Sequence, residues 1–404
     1  MSNLRLVALW SILSLFFVGG TYAQDDLEDL ANWTFLVFIN ADNNLDSAGV
    51  DDLDEMEVAG STSKVNIVVQ MDRWHGPAKR YYVRKGKSDI VEDLGEVDMG
   101  DWQQLVKFAK WGIENYPARH YAVVVWNHGS GWNKHKSDLF GRGISYDDTD
   151  GGHITTAELE QASAAINQAI GQKMDILGFD ACLMNMFEVA YQVRNEAAYI
   201  VGSEETEPGD GWPYDRICKA LIKKPNMNAK DVSKMIVKEY KKSYGLRGTT
   251  QSAIAGAAMD ELRKRTDAFV DACSAASKAD VDAAIGAALE DVQRFYYSSY
   301  IDFFHFLELF ADNVSDSACK AAAKNVMKYE KVSVAANGVS GIPFMKMKAK
   351  GISIYFPSKY GYYSSYDKLT FCKDSKWNEF VRTYLGLAVE GTTPGDQRLL
   401  MMKY

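Results

Sequence analysis

A histidine and a cysteine, His128 and Cys182, stand 54 residues apart, and each stops an unbroken apolar run: YAVVVW before the first, MDILGF before the second. Such runs read as strands buried on both faces, as in a parallel sheet with helices on either side. Open α/β sheets bind ligands in the crevice at the carboxyl ends of their strands, which is where both side chains fall. The chemistry is nucleophilic: a thiol attacks a carbonyl as thiolate, and an imidazole within reach takes its proton. Gly129 follows the histidine with a backbone N–H that no side chain shields, suited, with the N–H of Cys182, to hold an oxyanion. Cys182 is also expected to open a helix, LMNMFEVAYQVRN, whose positive end would stabilise a thiolate. For an isolated pair, a buried structural cysteine and a strand-capping histidine are the commoner outcome.

Carboxylates gather around the cysteine. Asp180 lies two residues before it, on the same side of an extended chain, while Glu204, Glu205, Glu207 and Asp210 crowd the loop after the neighbouring strand YIVG. A carboxylate about 4 Å from a guanidinium is worth roughly 4 kcal/mol before desolvation at intermediate dielectric, so these residues fit a basic ligand; a solvated acidic loop explains the glutamates equally well. Trp212 fits core packing better than a pocket wall. His75, His120, His135 and His153 lie in loops or before a strand, and His305 in DFFHFLELF reads as a satisfied core histidine. Asp147, Asp148 and Asp150 invite a calcium reading, but their spacing does not meet the EF-hand template.

The elements that must position these groups alternate. Strands are expected at Trp33 to Asn44 and Val65 to Trp74, a hairpin arm at Lys79 to Gly86, and helices at Asp51 to Gly60 and Asp101 to Tyr116. Between the two key strands, a polar loop (133–153) precedes a helix opened by the capping box Thr155-x-x-Glu158, with Leu159, Ala162, Ile166 and Ile170 at helical spacing. A strand near Gln251 to Ala257, helices over about 215–245 and 258–330, late strands at Val332 to Gly338 and Gly351 to Pro357, and a helix near 375–387 follow. This order predicts a mainly parallel α/β sheet flanked by helices, with a smaller, mostly helical C-terminal subdomain. The expected division is a signal peptide at 1–23, an acidic spacer at 24–32, a catalytic domain at 33–250 and the C-terminal subdomain at 251–404.

The N-terminus supports export: Arg5 precedes an apolar stretch from Leu6 to Val18, with small residues up to Ala23. No later segment is apolar for long enough to span a membrane. A formal net charge of −9, with no Lys/Arg-rich block, excludes a nucleic-acid binder. Five cysteines without Cys-x-x-Cys spacing support neither a zinc ribbon nor a redox motif, and the odd number leaves at least one free thiol, expected at Cys182.

WNHGSGW, GFDACLM, ADNNLD (Ala41 to Asp46) and GISIYFP together resemble the clostripain family of cysteine peptidases, in the caspase-like clan, over about Trp33 to Pro357. The resemblance implies a caspase-like fold, a His128 and Cys182 dyad, cleavage after Arg or Lys, and Asp180 and Asp210 as floor and wall of the pocket for that basic side chain. It also implies self-cleavage in the linker, after Lys134, Lys136 or Arg142, the last flanked by Gly141 and Gly143. No cofactor is required by the sequence; calcium dependence occurs in the family and is the one cofactor expectation. The sequence thus predicts an exported, monomeric cysteine endopeptidase acting on proteins or peptides, the rival being a catalytically silent exported binding or adhesion protein on the same fold.

Overall fold

Five apolar segments lie side by side and parallel: β1 (Ala31–Ala41), β2 (Val65–Arg73), β5 (Ala118–Trp126), β6 (Met174–Asp180) and β7 (Ala197–Gly202), in the order β2-β1-β5-β6-β7. The computed structural model describes residues 30–132, 143–341 and 347–388, and the described residues from Ala31 onward form one compact unit. Antiparallel strands widen the sheet to nine. On one edge are β3 (Gly76–Arg84) and β4 (Lys87–Gly95), on the other β8 (Thr250–Ala255) and β10 (Val334–Val339). The short β9 (Tyr300–Asp302) and β11 (Ser353–Tyr355) form a separate pair.

The runs are unbroken because both faces are covered. In β5, Tyr121, Val123 and Val125 enter one core, while Ala122, Val124 and Trp126 enter the other. Over the first face lie α2 (Trp102–Asn115), α3 (Thr156–Ile170) and α4 (Phe187–Gln192). The same core includes α7 (Met259–Ala275), α8 (Lys278–Asp291), α9 (Phe303–Asn313) and α10 (Ser317–Met327). The second face is covered by α1 (Asp46–Glu57), α5 (Tyr214–Lys223) and α6 (Ala229–Tyr244). Each buried Val, Leu or Phe contributes roughly 1.5–3 kcal/mol, so burial on two faces is what makes the parallel sheet stable. The fold is thus the mainly parallel, helix-flanked sheet with a helical C-terminal region.

The Thr155 and Glu158 capping box opens α3 as the spacing predicts, and Leu159, Ala162 and Ile166 are buried beneath it. The strand that opens the expected C-terminal subdomain, β8, pairs with β7, and β10 pairs with β8, so the sheet continues across residue 250. The two late strands separate, β10 to the main sheet and β11 to β9. The expected signal peptide and the cleavage candidates Lys134, Lys136 and Arg142 lie outside the described residues.

Candidate active site

Register sets where the two candidate residues fall. The β5–β6 ladder ends on the pair Trp126 and Asp180, and the Asn127 N–H donates to the Asp180 carbonyl at 3.1 Å. His128 and Cys182 are each two residues further along adjacent parallel strands, which lie about 4.8 Å apart. Both are half-buried. A Cβ on Gly129 would collide with the carbonyl oxygen of Cys182 and come within 3.0 Å of Ala181 Cβ, so only glycine lets the two chain ends close on each other.

The expected helix does not begin at Cys182. A turn intervenes, bent at Leu183, whose φ of 65° is unusual for a residue with a side chain, and α4 opens only at Phe187 and runs six residues. The helix dipole therefore cannot act on the thiol as predicted. Instead the Glu207 N–H donates to Cys182 Sγ at 3.2 Å. Burial pushes the thiol above its usual pKa; that amide opposes the shift, and the charges of Glu205 and Asp180 add to it. Burial likewise lowers His128, with Asp148 pulling the other way. Both shifts favour the neutral form of the side chain. His128 Nε2 lies 2.8 Å from Asn44 Oδ1; with that oxygen accepting, Nε2 carries the proton and Nδ1 the basic lone pair. Asn44 lies in the ADNNLD stretch, at the end of the expected first strand, and had no role assigned from the sequence.

Asp180 is buried at the base of a carboxyl cluster. Its Oδ2 accepts from the Trp212 N–H at 3.1 Å and the Tyr214 hydroxyl at 2.8 Å. Burial raises its pKa to about 6 against these hydrogen bonds. Glu207 is held well above the carboxylate range, by burial first and then by the charge of Asp180. Asp52 behaves the same way, and its Oδ2 accepts from the Trp126 indole at 2.6 Å. Gly211 closes over the cluster: a Cβ there would meet Asp52 Oδ2 at 2.8 Å and Asp180 Oδ2 at 3.1 Å.

The acidic loop divides. Glu204 turns to Asp302 and the Gly351 N–H, Glu205 accepts from Thr206 and Tyr296, and only Glu207 joins Asp180. Asp210 stands at the exposed end of the loop, and its carboxylate pairs with Arg247 at 2.9 Å. Trp212 is fully buried against Gly178, in the core. Asp52 and Tyr214 went unread because their approach to Asp180 depends on tertiary packing. All five cysteines are unpaired, and Cys182 is the one not buried.

The three aspartates of YDDTDGG do not converge. Asp148 and Asp150 are exposed, whereas Asp147 is buried and accepts from the Met99 and Asp150 N–H groups at 2.9 and 3.0 Å. The carboxylates that do converge are Asp42, Asp72 and Glu96, each with an oxygen within 4.8 Å of the others. Their all-oxygen donor set fits a hard cation such as calcium, and both Asp42 oxygens and Asp72 Oδ2 are buried without a hydrogen-bond partner.

The sequence profile of the clostripain family, peptidase family C11, matches residues 37–384. The chain belongs to the clostripain family. Every site residue named above lies inside that match. Among curated proteins, clostripain of Hathewaya histolytica is 27% identical over 217 residues, 46% of this chain and 41% of that protein. This clostripain-family chain thus spans about two fifths of that relative's length. Two crystal structures share the fold. One is a secreted C11 cysteine protease from Bacteroides thetaiotaomicron bound to an irreversible peptide inhibitor: TM-score 0.65, 23% identity, 87% of this chain and 99% of the other. The second is an inactive zymogen C11 protease from Parabacteroides distasonis: TM-score 0.64, 20% identity, 85% and 98% covered. Among the described residues no helix is long and apolar enough to cross a membrane.

Proposed function

We propose that the chain is an exported cysteine endopeptidase that cleaves after Arg or Lys, with Cys182 as nucleophile and His128 as base. The observation that carries this reading is the register, which sets both residues two positions beyond the last pair of the β5–β6 ladder, with Gly129 against the Cys182 carbonyl. With burial favouring the neutral thiol and the neutral imidazole, the proton moves as the sulfur attacks. Sγ bonds to the substrate carbonyl carbon, and its proton passes to His128. The N–H groups of Gly129 and Cys182 hold the oxyanion. The imidazolium then protonates the leaving amine as the C–N bond breaks, leaving a thioester. Water, deprotonated by His128, hydrolyses it and restores the thiol.

Asp180 forms the pocket floor, and a substrate cation beside it favours the ionised form of the Asp180 and Glu207 carboxyls, so the pair accepts the incoming charge. Asp210 acts as the wall once the substrate replaces Arg247 at its carboxylate, a cheap exchange because an exposed pair is worth about 0–1 kcal/mol. Export is supported by the N-terminal apolar segment and by a structural relative described as secreted. Self-cleavage after Lys134, Lys136 or Arg142 is supported by the basic residues of that loop and by a relative described as an inactive zymogen.

Fluorogenic peptides that differ only in the residue before the scissile bond test the reading. Turnover should be confined to Arg and Lys, and Cys182→Ala should abolish it with a melting temperature near that of the wild type. Hydrolysis by Cys182→Ala, or equal turnover after Leu or Asp, would sink it.

A further inference from the structure

Away from the candidate site, two cysteines on different helices of the C-terminal region meet. Cys273 stands near the end of α7 and Cys319 in the first turn of α10, 46 residues apart in the chain and both buried in the same core. Cys319 Sγ donates to the carbonyl of Ala272, the residue before Cys273, at 3.3 Å, and the Cys273 thiol hydrogen-bonds to Cys319 in turn. The other buried cysteines have different company: Cys218 packs in the core on the opposite face of the sheet, and Cys372 faces Tyr366 and Glu188. Free cysteines are often buried simply as small apolar side chains, but that preference does not bring the sulfurs of two distant segments together. Sulfurs in contact meet the distance condition for a disulfide, which cysteines with diverging side chains cannot.

We propose that Cys273 and Cys319 form a disulfide that staples α7 to α10. The oxidant is an external disulfide, that of a small thiol or of an exchange catalyst, as exported chains meet. One cysteine thiolate attacks it and releases one thiol, giving a mixed disulfide, and the second thiolate displaces the remaining half. Both thiol protons and the two electrons leave with the two thiols released, and one S–S bond replaces another. Burial raises both thiols above their usual pKa, Cys319 to about 11. The exchange therefore belongs to the folding chain, before the helices close over the pair, and burial then shields the finished bond from reductants. The ring it closes holds α8, β9 and α9. Within that ring the Tyr300 hydroxyl donates to the carbonyl of Ser130, two residues beyond His128, at 2.9 Å. The staple thus braces the segment that supports the His128 end of its strand. The proposal goes beyond the peptidase reading and can fail separately from it, because neither cysteine takes part in that chemistry.

The test uses the full chain carrying Cys182→Ala, which excludes self-cleavage and leaves four of the five cysteines. It is made twice, in a reducing cytoplasm and behind a host export leader in a disulfide-forming compartment, then alkylated with iodoacetamide in denaturant and weighed. The cytoplasmic protein should take four labels and the exported one two, with a single linked peptide pair joining Cys273 to Cys319. The exported protein should melt about 5 °C above the cytoplasmic one, the order expected for closing a loop of this length in a chain of this size. Cys319→Ser in the same parent should take three labels from either compartment and melt at one temperature, which separates the bond from any packing defect the serine introduces. Four labels on the exported parent, a link between other cysteines, or equal melting of its two preparations would overturn the staple.

Discussion

At Cys182 and Asp180 the same burial acts on two acids with different consequences. In the proposed mechanism the raised thiol pKa favours a protonated nucleophile, whereas raising Asp180 to about 6 would set a lower pH limit on recognising a basic side chain. The carboxyl is charged only above that value, so kcat/KM for Arg and Lys peptides should fall as pH drops through about 6. Asp180→Asn should lose on the order of 10²-fold in kcat/KM on these peptides at pH 7.5, as removal of one partner of a buried pair does. It should not slow alkylation of Cys182 by iodoacetamide, since the lost charge only opposed the thiolate. Wild-type turnover in this variant, measured on the same peptides, would show that another group meets the substrate charge.

The elements were legible where the local pattern is strong. The five parallel strands, α2, and α3 with its cap follow from apolar runs, helical spacing and capping chemistry in the sequence itself. β4 was missed because its residues are mostly polar and half or fully exposed, which suits an edge strand but carries no apolar signature. The shortening of α4 was invisible because the chain bends at Leu183 to reach the Glu205 carbonyl, a tertiary contact. The candidate site was legible to the same depth: Asp180 ends a strand and His128 and Cys182 follow strand ends by two residues, whereas Asn44, Asp52 and Tyr214 arrive from elements whose approach no local pattern encodes. One buried acid ties α4 to the C-terminal region. Glu188 accepts from the Tyr355 N–H at 2.9 Å and the Tyr366 hydroxyl at 2.7 Å, yet burial still pushes it from 4.5 to about 7. The folded state thus binds this proton more tightly than the unfolded chain. Its stabilisation is complete below about 4.5 and lost as pH rises through about 7, on the order of 3 kcal/mol. Urea denaturation at pH 5 and 8 should show that Glu188→Gln flattens the fall in stability seen in wild type. Equal slopes in the two proteins would exclude Glu188 as its source.

Across the whole molecule, the strand order β10-β8-β7-β6-β5-β1-β2-β3-β4 separates cleanly by chain position. Everything on one side of the β5–β6 ladder precedes residue 133, and everything on the other follows residue 142. A cut after Lys134, Lys136 or Arg142 would give two chains, one with five strands and His128, the other with four strands of the main sheet and Cys182. Intact mass of wild type beside Cys182→Ala should show two fragments in the first and one in the second. The fragments should elute together from gel filtration, since the ladder and both cores join them. Separate elution would mean that the seam cannot hold without the covalent link.

That seam gives processing a thermodynamic meaning as well as a chemical one. An uncut chain refolds as a unimolecular event, and its midpoint ignores concentration. Once cut, the two halves become complementing partners, and assembling His128 with Cys182 becomes a second-order step. Dilution after denaturation would then leave each half holding one reactive group without the other, so the cleaved protein would recover activity in proportion to how often the halves meet.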